Sequence, residues 1–436
     1  MKDKLTFILI GAGARGHRYT KNAYRHGDYE LVGIAEPRED VRNYMRDLYH
    51  VPPENCFSSY EELLALGKIA DFAMICTQDR LHYDPAMKAI ALGYPLLLEK
   101  PVAPTPEECI AIRDAAEKQN VPVIVCHVLR YTRFARAVKK IIDEGRIGQV
   151  MSVIHCENGG NIHYAASYIR GPWKNSETSA PMLLAKSCHD IDLLQWLIQS
   201  QCTKVQSFGR LSYFRSENCP EGAPKRCIDG CPHDALCPYS AVKIFRDFPF
   251  DEGGWLDPTH ADGSVYSREE IEQWLRTSDQ GICVFQSENN VVDHQTVNLE
   301  YENGATAVFS MNAFSRGGRR IHIMGTKGEL ISTDFDTIDL YTFCDEDPAS
   351  DRYQHHRREI IKTSEHGIDQ RIVGGHGGGD GGIMRDVWDY LCKGIRSSSI
   401  SDIRTSVDNH ITVFAAEESR LHGNNVVDVQ EFAKSL

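Results

Sequence analysis

The sequence predicts an α/β protein in two unequal parts, a parallel sheet wrapped by helices followed by a larger α+β part built on antiparallel strands. Three observations predict it. Apolar runs of strand length alternate with helical segments up to about residue 126. A glycine-rich turn joins the first strand to the first helix. Beyond Gly148, consecutive strands are joined by tight turns instead. At 436 residues the chain exceeds one ordinary core, so two domains are expected, 1–126 and 127–436.

Leu5–Ile10 is a continuous apolar run, followed at once by Gly11-Ala12-Gly13-Ala14-Arg15-Gly16. In G-x-G-x-x-G placed between strand and helix, the first glycine makes the turn and the second admits a pyrophosphate to the backbone. The third lets helix pack on strand. The helix N-terminus offers unpaired N–H groups and a positive dipole end to phosphates. A second strand, "YELVGIAEP", brings Glu36 twenty residues after Gly16. A carboxylate there accepts from ribose hydroxyls and repels a 2′-phosphate, which favours NAD over NADP; Arg38 nearby leaves the NADP reading open.

Ser58-Ser59-Tyr60-Glu61-Glu62 carries overlapping capping boxes before the strand "DFAMICT" (71–77). A helix from about His82 to Leu92 stops at Gly93, "YPLLLEKP" follows, and Thr105-Pro106-Glu107-Glu108 opens another helix. "VPVIVC" (121–126) closes the set. In parallel sheets ligands lie outside the carboxyl ends of the strands, where Thr77, with His82 shortly after it, and Glu99-Lys100-Pro101 fall.

The second part starts with "VMSVIHCE" (150–157) and a helix at roughly 180–198. Asn303-Gly304 marks a hairpin within "TVNLEYENGATAVFSMNAF", and "RIHIMGTKGELIST" and "TIDLYTF" continue the sheet. Helices are expected at about Gly382–Lys393 and Ser406–His422, with a Cys-, Pro- and acid-rich insertion at about 214–290. One face of such a sheet is free to meet a partner.

Bulk properties narrow the function. Hydrophobic content of 42% and charged content of 25% are those of a globular protein, and a net charge of −13 argues against nucleic-acid binding. No stretch approaches 18 uninterrupted apolar residues, and the N-terminal apolar run leads into a glycine turn rather than a cleavage site. Fourteen cysteines without a secretion signal suggest reduced thiols and a cytoplasmic location.

"LLAKSCHDIDLLQWLI" (183–198) is an apolar helix salted with charge, on which Lys186, His189 and Asp192 form an i, i+3, i+6 ridge. Lys186 either snorkels to water or enters a pocket. "GGHGGGDGG" (374–382) permits tight turns near a ligand, with His376 and Asp380 supplying polarity, or is a linker with an incidental histidine. Tyr164 and His163 are further candidates for substrate contact. Cys219, Cys227, Cys231 and Cys237 fall within nineteen residues as C-x7-C-x3-C-x5-C. Three readings stand for them: a structural Zn²⁺ held by four thiolates, disulfides, or thiols with no common partner.

"GAGARG", "CTQDRLHYDPAMKAIALGYPLLLEKP", "RYTRFARAVKKIIDEGRIGQV" and "HDIDLLQWL", in that order, resemble the Gfo/Idh/MocA oxidoreductases over most of the chain. The resemblance implies a Rossmann domain followed by a domain with a large, mostly antiparallel sheet, and a sheet-to-sheet homo-oligomer. It makes Lys100 of Glu99-Lys100-Pro101 an active-site lysine beside the nicotinamide and the reacting hydroxyl. His189 matches the family's histidine in D-x-G-x-H-x-x-D and Asp192 its last acid, a substrate-site residue that orients side chains rather than transferring protons, but Ala185 stands where the first Asp belongs. "GGHGGGDGG" is similar to the "GHGG" of family members that act as NAD-dependent glycosidases. An NAD(P)-dependent dehydrogenase acting on CH–OH groups of a sugar, cyclitol or glycoside is expected. Redox-neutral glycoside cleavage by transient oxidation is the rival, and a non-catalytic nucleotide sensor the third reading.

Overall fold

A computed structural model describes residues 4–247, 266–343, 356–364 and 375–436; part of the expected insertion, Gly374 and Cys344 lie outside the described residues. The first sheet comprises β1 (Leu5–Ile10), β2 (Tyr29–Ala35), β3 (Cys56–Phe57), β4 (Phe72–Ile75), β5 (Leu96–Leu98) and β6 (Val123–Val125). Their order is β3-β2-β1-β4-β5-β6, every pair parallel, with the reversal between β1 and β4. The capping signals act as expected: Ser59 accepts from Glu62 N, and Thr105 accepts from Glu108 N at the start of Pro106–Lys118.

The second sheet has nine described strands: β7 (Val150–Asn158), β8 (Cys202–Arg210), β9 (His294–Tyr301), β10 (Thr306–Asn312), β11 (Gly318–Gly325), β12 (Gly328–Ser332), β13 (Thr337–Phe343), β14 (His356–Lys362) and β15 (Val427–Asp428). The order is β14-β13-β12-β11-β7-β10-β9-β8-β15, antiparallel except where β10 runs parallel to β7. Gly304, at φ +83°, makes the expected hairpin between β9 and β10.

One face of this sheet buries Val153, Val297, Phe309, Ile321 and Leu340 beneath the helices Cys188–Ile198 and Ile403–Leu421. The other leaves Ile154 and its parallel partner Val308 exposed, with Met151 and Phe208 also open. No helix among the described residues is long and apolar enough to cross a membrane.

Two departures from the expected layout matter for the site. The helix read as continuous over 180–198 is two helices, Met182–Ala185 and Cys188–Ile198, broken at Lys186 and Ser187. The uninterrupted ridge through Lys186 therefore does not exist: this lysine lies in the turn. The helix Gly379–Lys393 starts earlier than expected and returns to the first domain, where Ile383, Met384 and Val387 share a core with Phe7, Tyr19 and Tyr29. The glycine-rich segment before it is thereby delivered to the nucleotide half of the molecule.

Candidate active site

Each glycine of the first turn has a separate job. A Cβ on Gly11, at φ +88°, would stand 2.8 Å from Cys76 C and Thr77 N, and one on Gly16 would stand 2.2 Å from Gly11 O. Gly13 caps the helix Ala14–His26, and a Cβ there would meet nothing within 4 Å. The middle glycine thus faces open space at a helix N-terminus, the room a pyrophosphate requires. At the end of β2, Glu36 is buried; Oε2 accepts from Ala12 N (2.8 Å) and Oε1 from Arg38 Nε (2.7 Å). Burial alone would raise its pKa, but the hydrogen bonds from Arg38 and Ala12 outweigh burial and hold it below the usual carboxylate range. Loop, helix end and carboxylate fit a dinucleotide.

The other strand ends are tied to one another. His82 is fully buried, its ring nitrogens 2.7 Å from Pro101 O and 3.1 Å from Thr77 O, and Thr77 Oγ1 donates to Leu81 O (2.9 Å). The expected cofactor contact of the His82 ring is therefore corrected: it fastens the loops after β4 and β5. Glu99 is likewise turned inward. It accepts from Arg15 Nε (2.8 Å), Tyr19 Oη (2.7 Å) and Lys100 N (2.8 Å), and Arg15 and Lys100 overcome burial to keep it ionised. Arg15 also pairs with Asp380 at 2.8 Å, so the phosphate turn and the distal glycine segment are joined by an ion pair. Asp380 in turn orients His376, Nδ1 to Oδ1 3.0 Å.

Lys100 Nζ donates to Ala185 O at 2.7 Å, at the C-terminus of Met182–Ala185, and the helix carrying His189 begins three residues later. His189 is 7% exposed and its Nδ1 has no partner. Burial, with Lys100 the next largest influence, pushes its pKa well below the ordinary value, so the imidazole is neutral. Around it stand His127 (ring centroids 5.8 Å) and His376 (6.4 Å). The residues expected to act together, one from each half, are thus brought together.

A second charged network lies on the sheet side. Lys186 Nζ is 3.4 Å from Glu157 Oε1, Arg319 reaches Glu157 (2.7 Å) and Asp190 (2.7 Å), and His155 Nε2 donates to Asp190 (2.8 Å). Lys186 neither snorkels freely nor stands alone. Arg319 and His376 line a cavity of about 670 Å³, with Arg133, Phe134 and Phe335 on its walls, a size suited to a small molecule.

Two substrate candidates are corrected. Tyr164 is fully buried, donates to Val292 O and packs against Tyr168 and Phe214, because the turn after β7 points it into the core. His163, beside it, lies within electrostatic reach of Lys186 and His376 instead. Asp192 has no exposure; Arg130 holds both its oxygens (2.7 and 2.6 Å) and Asn409 donates to one (2.6 Å). It positions this helix and does not meet a ligand. Sequence reasoning missed Glu157, Arg319 and His127. The signal for Glu157 was available: it shares the inward face of β7 with Val153 and His155, where an unpaired carboxylate is costly. The described cysteines are free, and among the described residues no group of three or more His, Cys, Asp or Glu side chains is arranged to hold a metal. The set Cys219, Cys227, Cys231 and Cys237 is thus not assembled as such.

Comparison with known proteins agrees with this architecture. Residues 5–127 match the Gfo/Idh/MocA family model described as "Oxidoreductase family, NAD-binding Rossmann fold", and residues 139–377 match its C-terminal alpha/beta domain. The protein YteT of Bacillus subtilis (strain 168) is 25% identical over 372 residues, 83% of this chain and 82% of that protein. The 2,7-anhydro-N-acetylneuraminate hydratase of Escherichia coli (strain K12) is 24% identical over 44% of this chain and 50% of its own. Levoglucosan dehydrogenase, solved with NADH and levoglucosan, has the same fold at a TM-score of 0.68 and 18% identity, covering 98% of this chain and 99% of that one.

Proposed function

The chain belongs to the Gfo/Idh/MocA family of NAD-binding oxidoreductases, and from that premise we propose that it transfers hydride between a carbohydrate-type hydroxyl and NAD. The substrate class is a sugar, cyclitol or glycoside. The observation that carries this reading is Lys100 Nζ on Ala185 O, four residues before the neutral His189 and across the break between the two helices.

Removing hydride from a carbinol carbon requires the hydroxyl proton to leave. Bound NAD supplies the hydride acceptor; the chain's residues handle the proton. The Lys100 ammonium favours alkoxide character on the hydroxyl oxygen, and the His189 imidazole takes the proton. With Ala185 in the family's aspartate position, His189 has no carboxylate one turn behind it. The His376–Asp380 dyad replaces that carboxylate from the opposite wall, 3.0 Å between its members and 6.4 Å from the His189 ring. Lys186, tethered to Glu157, supports the substrate side. Glu36 selects NAD over NADP. The exposed apolar positions on the open sheet face support a homo-oligomer joined there.

The same dyad favours a second reading, redox-neutral cleavage. There a ring hydroxyl is oxidised by hydride transfer to NAD, the ketone acidifies the adjacent C–H, His376 removes that proton and the leaving group departs; water then adds across the double bond, returning a solvent proton to that carbon, and the hydride goes back to the ketone. A relative named a hydratase is consistent with that chemistry. A carbohydrate panel incubated with NAD in deuterated water separates the readings. NADH formed in step with product supports the dehydrogenase. Turnover without NADH but with deuterium in the ring supports cleavage. NAD binding with no turnover on any panel member overturns both and leaves a nucleotide sensor.

A further inference from the structure

His127, two residues beyond β6, is a buried imidazole that packing alone does not explain. It has no exposure, and neither ring nitrogen has a hydrogen-bond partner. Buried polar atoms are paired in the great majority of cases, so an orphan points to a part in catalysis or to internal water. Asp192 Oδ1 stands 3.9 Å from His127 Nε2, just beyond hydrogen-bond reach. Asn409, which donates to that same oxygen (2.6 Å), also has an unpartnered Oδ1.

The place of this ring gives it a use. His127 stands edge-on to His189, ring centroids 5.8 Å apart and planes at 82°, and His189 Nδ1 is likewise without a partner. On its other side is His410, centroids 5.7 Å away. His410 accepts from Val102 N (3.0 Å) and donates to Ser406 O (2.7 Å), so it has no nitrogen left and ends the row. His376 lines the cavity on the far side of His189. The open nitrogens thus lead inward from the cavity through His189 to His127 and stop beside Asp192. Polar atoms left open on neighbouring buried side chains make a site for one bridging water.

We propose, resting on the hydride-transfer reading of this site, that His127 is a positioning residue for His189. It keeps His189 in the Nδ1–H form and, through one bridging water, takes up the proton that His189 removes from the substrate hydroxyl. The hydroxyl O–H bond breaks and that proton bonds to His189 Nε2. The Nδ1 proton of His189 passes to the water, whose own proton bonds to His127; the hydride goes to NAD and the carbinol becomes a carbonyl. Burial and then the Lys100 ammonium disfavour a cation on His189, so passing the proton on relieves it. At His127, burial, Arg130 and Lys100 oppose a lasting charge, while Glu99 favours one and Asp192 lies alongside. The proton is therefore held in transit and leaves by the same row when product departs. Ala185, four residues before His189, has no side-chain acceptor to take this part.

The test uses the full-length protein with NAD, isotopically labelled at the histidine nitrogens, beside His127→Phe and His127→Gln. In nitrogen NMR of the NAD complex, the His189 signal is assigned by its loss in His189→Ala. It is expected to report the Nδ1–H tautomer in the wild type and to change in His127→Phe; this arm needs no substrate. With the active member of the carbohydrate panel, the rate of hydride transfer is followed before steady state in mixtures of light and heavy water. The wild-type rate is expected to bow with deuterium content, because two protons move together. His127→Phe lowers that rate by about 10²-fold, makes the dependence linear and leaves NAD affinity within a few-fold of wild type. His127→Gln, which keeps hydrogen bonds but does not carry the proton on, stays as slow. An unchanged His189 tautomer in His127→Phe overturns the proposal, as does a wild-type rate in either variant. A slowed His127→Phe that keeps the bowed dependence overturns it too, because the ring then only fills space. A silent panel together with a changed tautomer overturns the hydride-transfer reading and the relay with it, while the hold of His127 on His189 stands.

Discussion

Two charged networks flank Lys100 and His189, and they are built differently. On the cofactor side, Arg15, Glu99, Asp380 and His376 link a phosphate turn, a strand end and a glycine-rich segment, with the Arg15 side chain 26% exposed. On the sheet side, Glu157, Arg319, Asp190 and His155 join β7, β11 and a helix, and the side chains of Asp190 and His155 have no exposure. Arg319 stands directly opposite Glu157 in the ladder, an opposite-charge cross-strand pair. The difference teaches where each network spends its interactions. The first is partly open to solvent and joins the two halves of the chain; the second is buried in the sheet side and holds Lys186 through Glu157.

The largest expected effects are on turnover. Lys100→Met and His189→Ala each lower kcat by about 10²–10⁴-fold, while calorimetry shows NAD affinity within a few-fold of wild type. If either variant turns over at the wild-type rate, the proton route is wrong. Arg319→Met strips Glu157 and Asp190 of their shared cation and destabilises the fold by about 3–5 kcal/mol, read by urea unfolding. Asp380→Asn changes stability by less and lowers kcat more than it raises KM. Equal stability losses in the two variants would erase the distinction between the networks.

The buried histidines give the comparison a pH axis. His410 accepts from Val102 N and donates to Ser406 O, and burial pushes its pKa down to about 3. Its unfolded value is near 6.5. Between these values the unfolded chain binds a proton that the native state does not, so stability is full above about pH 6.5 and falls on acidification. The slope is about 1.4 kcal/mol per pH unit for this group. His410→Gln, which keeps an acceptor and a donor, flattens that part of the melting-temperature profile; an unchanged slope removes His410 from the account. The smallest effect is on cofactor choice. Glu36→Gln raises the NADP-to-NAD ratio of kcat/KM by on the order of tenfold, comparable to losing one hydrogen bond to a charged group.

The cofactor side was legible in the sequence because it is carried by local signals. G-x-G-x-x-G, the spacing to Glu36 and the strand-end Glu99-Lys100-Pro101 each place a residue without long-range information. The Ser59 and Thr105 caps were readable for the same reason. The sheet side was not legible, because its partners meet only through register: Glu157 and Arg319 are 162 positions apart and opposed across β7 and β11. Tyr164 was misplaced because the turn after β7 decides which of two adjacent side chains faces the cleft, and periodicity does not specify that turn. The break at Lys186–Ser187 escaped notice because neither residue is a helix breaker by propensity.

Hydride transfer at the meeting of Lys100 and His189 is most directly tested with the active member of the carbohydrate panel, deuterated at the reacting carbon and incubated with NAD. Mass spectrometry of the cofactor in single turnover is expected to find the label in the reduced nicotinamide with wild-type protein, and to find it arriving about 10²–10⁴-fold more slowly with His189→Ala. Product formed by wild type with no label ever reaching the cofactor would contradict the account.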